Sequence, residues 1–147
     1  MSLVVRLKIK VRFDYKGKNK SGKLFWKGKT GVEIADEVRQ HKVSLIRNVP
    51  VQGIHIEEID MGLEAYEIID EITGKANPYA PVFITFYADS IEDAIKFTMK
   101  EEFRTVEVLE PVEMVMSDTE IERLLFKISE ELMNYRDYLK KKIDNLK

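Results

Sequence analysis

Cysteine is absent from the 147 residues. That excludes disulfide staples, thiolate nucleophiles, iron–sulfur clusters and cysteine-ligated zinc. Histidine is nearly absent, with only His41 and His55. A metal site needs three or four converging ligands. His55 and Glu57 share one face of an acid-rich segment with Glu58 and Asp60 nearby, but a solvated strand face is the better reading. No metal and no cofactor are expected. Long apolar runs are missing too: none approaches the eighteen or so residues that a membrane-spanning helix needs. Charges enter the N-terminal stretch too early for a secretory leader. The expectation is a cytoplasmic protein with no membrane partner. Glutamine is limited to Gln40 and Gln52 while 34% of residues are charged, a balance that fits a thermophilic source.

Catalytic signatures are scarce as well. Gly28-Lys29-Thr30 ends like a phosphate-binding loop, but that loop requires a glycine five places before its Gly-Lys pair. Lys23 stands there, and Gly22 comes one place too early. No serine sits in a nucleophile-elbow pattern. The acidic run Glu57, Glu58, Asp60, Glu64, Glu67, Asp70 and Glu71 repeats at exposed spacing and reads as a solvated face. An enzyme would need a site of scattered carboxylates and tyrosines at a subunit interface, and this is kept as an alternative.

What is present is a sharp separation of charge. Residues 1–29 carry ten Lys/Arg against one acid, Asp14, for a net +9. The remaining residues carry 14 Lys/Arg against 25 Asp/Glu, for a net -11. The basic part is patterned. Leu3, Val5, Leu7, Ile9, Val11, Phe13 and Tyr15 alternate with Arg6, Lys8, Lys10 and Arg12, which predicts a strand with one face on the core and one in water. Lys16 to Lys23 is a polar turn, and Leu24 to Lys27 returns as a second strand, so the expectation is a basic β-ribbon. Arg6, Lys8, Lys10 and Arg12 form its row of charge, Lys16, Lys18, Lys20 and Lys23 its tip, and Phe25 and Trp26 a stacking surface. Such a ribbon suits nucleic acid, whose phosphates attract cationic rows and whose unpaired bases stack on aromatics. It also suits the acidic remainder of a neighbouring subunit, or the plain protection of a sheet edge.

Beyond the ribbon, Thr30-Gly-Val-Glu33 has capping-box spacing and opens a helix to about His41. Val43 to Val49 is apolar but too short to assign, and Pro50 ends it. Gly53 to Ile59 reads as a strand. Ala65, Ile68, Ile69 and Ile72 fall at helical spacing before Gly74, which predicts a short helix, with a strand as the alternative. Lys75 to Pro81 reads as a loop. Pro81 to Ala88 is apolar, β-branched and aromatic, the pattern of a strand buried on both faces. Ser90 caps a helix carrying Ile91, Ala94, Ile95 and Met99, and Arg104 to Leu109 alternates again. Strand, helix, strand predicts two parallel strands joined by a right-handed crossover. Val112, Met114 and Met116 continue the alternation past Pro111. Ser117-Asp-Thr-Glu120 is a second capping box, opening a helix of about 28 residues to Asn145, roughly 42 Å long.

The predicted class is α+β, with a mainly antiparallel sheet of about four to six strands. The element order resembles a ferredoxin-like α/β sandwich extended by the N-terminal ribbon and the long C-terminal helix. That resemblance is architectural and implies no function. Residues 1–116 form a single α+β domain on this reading, and residues 117–147 a helix that packs on the domain and on a neighbouring subunit. Leu125, Ile128, Leu132, Tyr135 and Leu139 step by four and three, and Leu146 completes a heptad. A compact domain of some 115 residues has a radius of gyration of about 13 Å, too small to cover such a helix. Leu132, Tyr135, Leu139, Ile143 and Leu146 are therefore expected at an interface between copies, a dimer in the simplest case. The functional expectation is a homo-oligomeric ligand-binding, regulatory or interaction module, with nucleic-acid binding as the alternative.

Overall fold

The odd-numbered residues of the basic stretch organise the molecule. In the computed structural model, which describes residues 6–17 and 30–146, the first strand, β1, runs Leu7–Lys16. Leu7, Ile9, Val11, Phe13 and Tyr15 are buried on one face, as the alternation predicts. The ribbon's turn and return strand, with Lys18, Lys20, Lys23, Phe25 and Trp26, lie outside the described residues, as do Leu3 and Val5.

Helix α1 (Gly31–Asn48) follows, with the Thr30 hydroxyl accepting from Glu33 N–H at 3.2 Å. It runs past His41 and takes in Val43 and Leu45, so the unassigned apolar segment forms the last turns of this helix, with Val49 as its C-cap. Strand β2 is Ile54–Asp60. The next segment corrects an expectation. Tyr66–Ile69 is a strand, β3, and not a helix. Ile68, Ile69 and Ile72 are exposed at 52%, 67% and 94%, so no core waits for the helical stripe that their spacing would make. Ladder pairing with the following strand and an Asp70 turn decide the conformation instead. Asp70 Oδ1 accepts from Ile72 and Thr73 N–H, and Gly74 takes φ +70, where only glycine is unstrained.

Strand β4 (Ala76–Ala88) starts where a loop was expected. Pro78 and Pro81 suggested the loop, but the Pro78 carbonyl still accepts from Gly17 N–H at 3.0 Å, and Pro81 occupies a place where β4 needs no N–H donor, as shown below. Helix α2 (Ile91–Thr98) is capped by Ser90, whose hydroxyl accepts from Asp93 N–H at 3.1 Å. Strand β5 (Phe103–Glu110) ends before Pro111. Residues 111–117 are irregular, so the alternation of Val112, Met114 and Met116 makes no strand. Helix α3 (Asp118–Asp144) is capped by Ser117, which accepts from Glu120 N–H at 3.2 Å.

The five strands form one sheet in the order β2-β4-β1-β5, with β3 pairing the N-terminal part of β4. Every hydrogen-bonded pair is antiparallel. β4 and β5 both run antiparallel to β1, hence parallel to each other with β1 between them, which is the geometry the strand–helix–strand unit predicts. Val43 of α1 and Ala94 and Phe97 of α2 pack on Leu7 to Tyr15 and on Val82, Ile84 and Phe86. Phe97 meets Phe86 and Phe13 edge-on at centroid distances of 4.8 and 6.1 Å. Each such aromatic, fully buried, contributes about 1.5–3 kcal/mol.

The two helices cover this one face only. β4 is therefore not buried on both faces: Tyr79, Phe83 and Tyr87 point to the other side and are half-exposed. The main contact of α3 is with α2 rather than with the sheet, and the helix has no buried residue. Among the described residues no helix is long and apolar enough to cross a membrane.

Candidate functional site on the open face of the sheet

The even-numbered residues of β1 lie on the face that α1 and α2 leave uncovered, beside alternate residues of β4. The register sets Lys8 opposite Tyr87, Lys10 opposite Thr85 and Arg12 opposite Phe83. Cross-strand neighbours of this kind touch. Lys8 Nζ lies 5.7 Å from the Tyr87 ring centre, and Lys10 Nζ and the Arg12 guanidinium lie 5.1 and 5.6 Å from that of Phe83. The row foreseen in the sequence is therefore a ladder of cations against rings. Phe83 and Tyr87 were the missed half of it. Their spacing of four along a strand places both on one side, a signal masked by reading β4 as buried throughout.

Three of the four cations also have a carboxylate partner on this face or at its end. Arg6 lies 3.4 Å from Asp89, which also takes His55 Nε2 at 3.0 Å. Lys8 lies 3.4 Å from Glu57. Arg12 donates through Nε to Asp14 Oδ1 at 2.8 Å and through a terminal nitrogen to Oδ2 at 3.2 Å. His55 and Glu57 thus serve the basic row, and among the described residues no three His, Asp or Glu side chains group as a metal site. Lys16 is exposed at the end of β1.

Asp14 is the most deeply buried charge here, its side chain 2% exposed. Besides Arg12, it accepts from the Tyr66 hydroxyl of β3, and Arg104 of β5 lies 3.9 Å away. Tyr66 stacks on Tyr79 at 5.7 Å, and Arg104 sits 5.4 Å from the Tyr79 ring centre. Burial and the Asp14 acceptor both hold the Tyr66 phenol above its ordinary pKa, and the hydrogen bond to Asp14 raises that of Arg12. The single acid among the first 29 residues is thus the anchor that ties three strands together. The sequence marked it only as an exception in a basic row.

The second surface is α3. Leu132 is 66% exposed, and Tyr135, Leu139, Ile143 and Leu146 are also open, so all five residues foreseen for an interface are unburied within one copy. The least exposed positions of the helix, Leu124, Lys127 and Glu131, lie about a quarter-turn away from the heptad stripe at 3.6 residues per turn. Beside α2, an apolar groove of about 550 Å³ runs between that helix and β5, lined by Leu7, Ile9, Ala94, Ile95, Val106 and Val108 among others.

Comparison with protein-family models, with curated proteins and with solved structures returns no match.

Proposed function

We propose that this chain is a self-associating interaction module built on a ferredoxin-like sandwich, with α3 as the element that joins two copies. Support for the sandwich comes from the strand order β2-β4-β1-β5 with α1 and α2 on one face. One observation carries the self-association: a 27-residue helix that touches its own chain along one side and has no fully buried residue, while its apolar stripe stays exposed and in register. Ile121, Leu125, Ile128, Leu132, Tyr135 and Leu139 are 36–66% exposed. Full burial of a Leu or Ile side chain contributes about 1.5–3 kcal/mol, and a heptad stripe is the pattern that a partner helix buries. Light scattering at tens of micromolar tests this. The expected result is a dimer, which Leu132→Lys or Leu139→Lys dissociates. A monomeric mass for the unaltered chain overturns the proposal.

A second reading concerns nucleic acid, and the cation–ring ladder of Lys8, Lys10, Arg12, Phe83 and Tyr87 favours it. Stacked bases and phosphates are the ligands that such a surface takes. Affinity for a mixed-sequence single strand would then fall steeply with salt, and Lys8→Glu with Lys10→Glu would abolish it. No binding at low salt removes this reading.

A further inference from the structure

We infer that two copies pair through α3 in the antiparallel sense, about a two-fold axis near Glu130. This rests on the self-association proposed above and adds the orientation and register of the contact.

Charge along α3 is segregated. Residues 118–131 hold five acids (Asp118, Glu120, Glu122, Glu130, Glu131) against Arg123 and Lys127. Residues 132–144 hold Arg136, Lys140, Lys141 and Lys142 against Asp137 and Asp144. A parallel pair sets acidic half on acidic half and basic half on basic half. An antiparallel pair sets each half against its opposite, and such complementarity fixes both partner and register.

The apolar stripe agrees. Leu125, Leu132 and Leu139 recur every seven residues, with Ile121, Ile128 and Tyr135 between them, and all six are exposed. An axis near Glu130 lays Ile128 against the partner subunit's Leu132, and Leu125 against the partner subunit's Tyr135. It also lays Ile121 against the partner subunit's Leu139. The same placement brings Asp118 and Glu120 beside the partner subunit's Lys142 and Lys140. Because the contact is isologous, every pairing occurs twice. The less exposed side of α3, with Leu124, Lys127 and Glu131, is not used, so the pairing leaves the contact with α2 in place.

The chain contains no cysteine, which makes disulfide trapping unambiguous. A disulfide forms only where Cα atoms come within about 7 Å. Ile121→Cys and Leu139→Cys are prepared separately, each retaining the melting temperature of the unaltered chain, and then mixed and oxidised. Antiparallel pairing predicts mixed disulfide dimers about tenfold or more above the dimers formed by either variant alone, since copies of one position lie about 27 Å apart across the axis. Disulfide dimers within each variant, with few mixed ones, mean parallel pairing and overturn the orientation while leaving self-association intact. Disulfides between Val108→Cys and Leu132→Cys in place of both would seat the partner helix in the groove beside β5, and also overturn it. A monomer by light scattering overturns the underlying reading as well. Replacing Lys140, Lys141 and Lys142 by Glu should weaken dimerisation at low salt and matter little at high salt. Equal loss at both salts contradicts the role given to charge.

Discussion

Arg39 offers the sharpest test of how the sheet is held. β4 pairs with β2 as far as Phe83 and with β3 only from Tyr79 back, so its edge is bare between them. Pro81 stands in that gap. It has no N–H to leave unpaired, and its carbonyl accepts from Arg39 at 2.9 Å. The same guanidinium nitrogen donates to the Leu63 carbonyl in the β2–β3 connection at 2.7 Å, and the other terminal nitrogen to Asp36 at 2.6 Å. A helix residue thus fills the space of a missing strand. Arg39→Met keeps most of the stem and removes all three bonds. Each charge-assisted bond to a carbonyl stabilises by about 1.5–3 kcal/mol, whereas the bond to the half-exposed Asp36 adds at most about 1 kcal/mol. Against this stands the desolvation of a charged side chain only 7% exposed, whose Nε has no partner among the described residues. Its relief returns a few kcal/mol. The orphaned Pro81 carbonyl, buried beside no strand, tips the balance by about 1–3 kcal/mol. The expected net loss is about 2–3 kcal/mol, or about 5–10 °C in melting temperature. Arg39→Lys, with a compact ammonium, should lose about half as much. Urea denaturation measures the energies. Amide exchange should show Tyr66–Ile69 losing protection before the centre of β1. Arg39→Met as stable as the parent would refute the reasoning, because the gap in β4 would then need no donor.

Three further outcomes follow from local geometry. Gly53 has φ +77, and a Cβ there would stand 2.2 Å from the Asp93 carboxylate, so Gly53→Ala should destabilise by about 1–3 kcal/mol in urea titration; a neutral effect contradicts the close approach. Ser90→Ala removes the acceptor for Asp93 N–H and should cost about 1 kcal/mol, with Ser90→Asp restoring most of it. Burial raises the Tyr15 phenol, and burial with Asp14 raises Tyr66. An acid whose folded pKa is raised stays protonated where the unfolded chain has ionised, so stability is complete below about pH 10 and falls above it. Urea midpoints that hold steady or rise from about pH 9 to about pH 11 would contradict this.

The strongest periodic signals in the sequence correspond to real elements. The alternation of Leu7 to Tyr15 survived because one face is fully buried and the other charged, a contrast no other register satisfies. The caps at Thr30, Ser90 and Ser117 were legible because a side chain three residues from its N–H target is local chemistry. Ile68, Ile69 and Ile72 misled because their spacing implied a core that the fold does not supply. Whether a stripe is buried is a tertiary fact, invisible locally. Pro81 misled for a related reason: proline forbids a donor, and only the neighbouring strands reveal that none is wanted there. On the candidate site, the cations were legible as a row. Asp14, Tyr66 and Arg104 come from three distant strands, and nothing in their spacing announces that they meet.

The strand order carries a consequence for synthesis. β1 is an interior strand of the sheet, yet its partners are β4 and β5, with Leu7 opposite Ala88 and Lys8 opposite Glu110. At about 5–20 residues per second on the ribosome, this apolar ribbon of Leu, Ile, Val and Phe waits several seconds before its first neighbour exists. Closing such distant pairs is slow even for a finished chain. The cationic alternate residues that later face the open side of the sheet discourage β1, during that interval, from pairing with a second nascent copy. Replacing Lys8 and Lys10 with threonine should accordingly lower the soluble yield from cells far more than it lowers the stability of the purified protein.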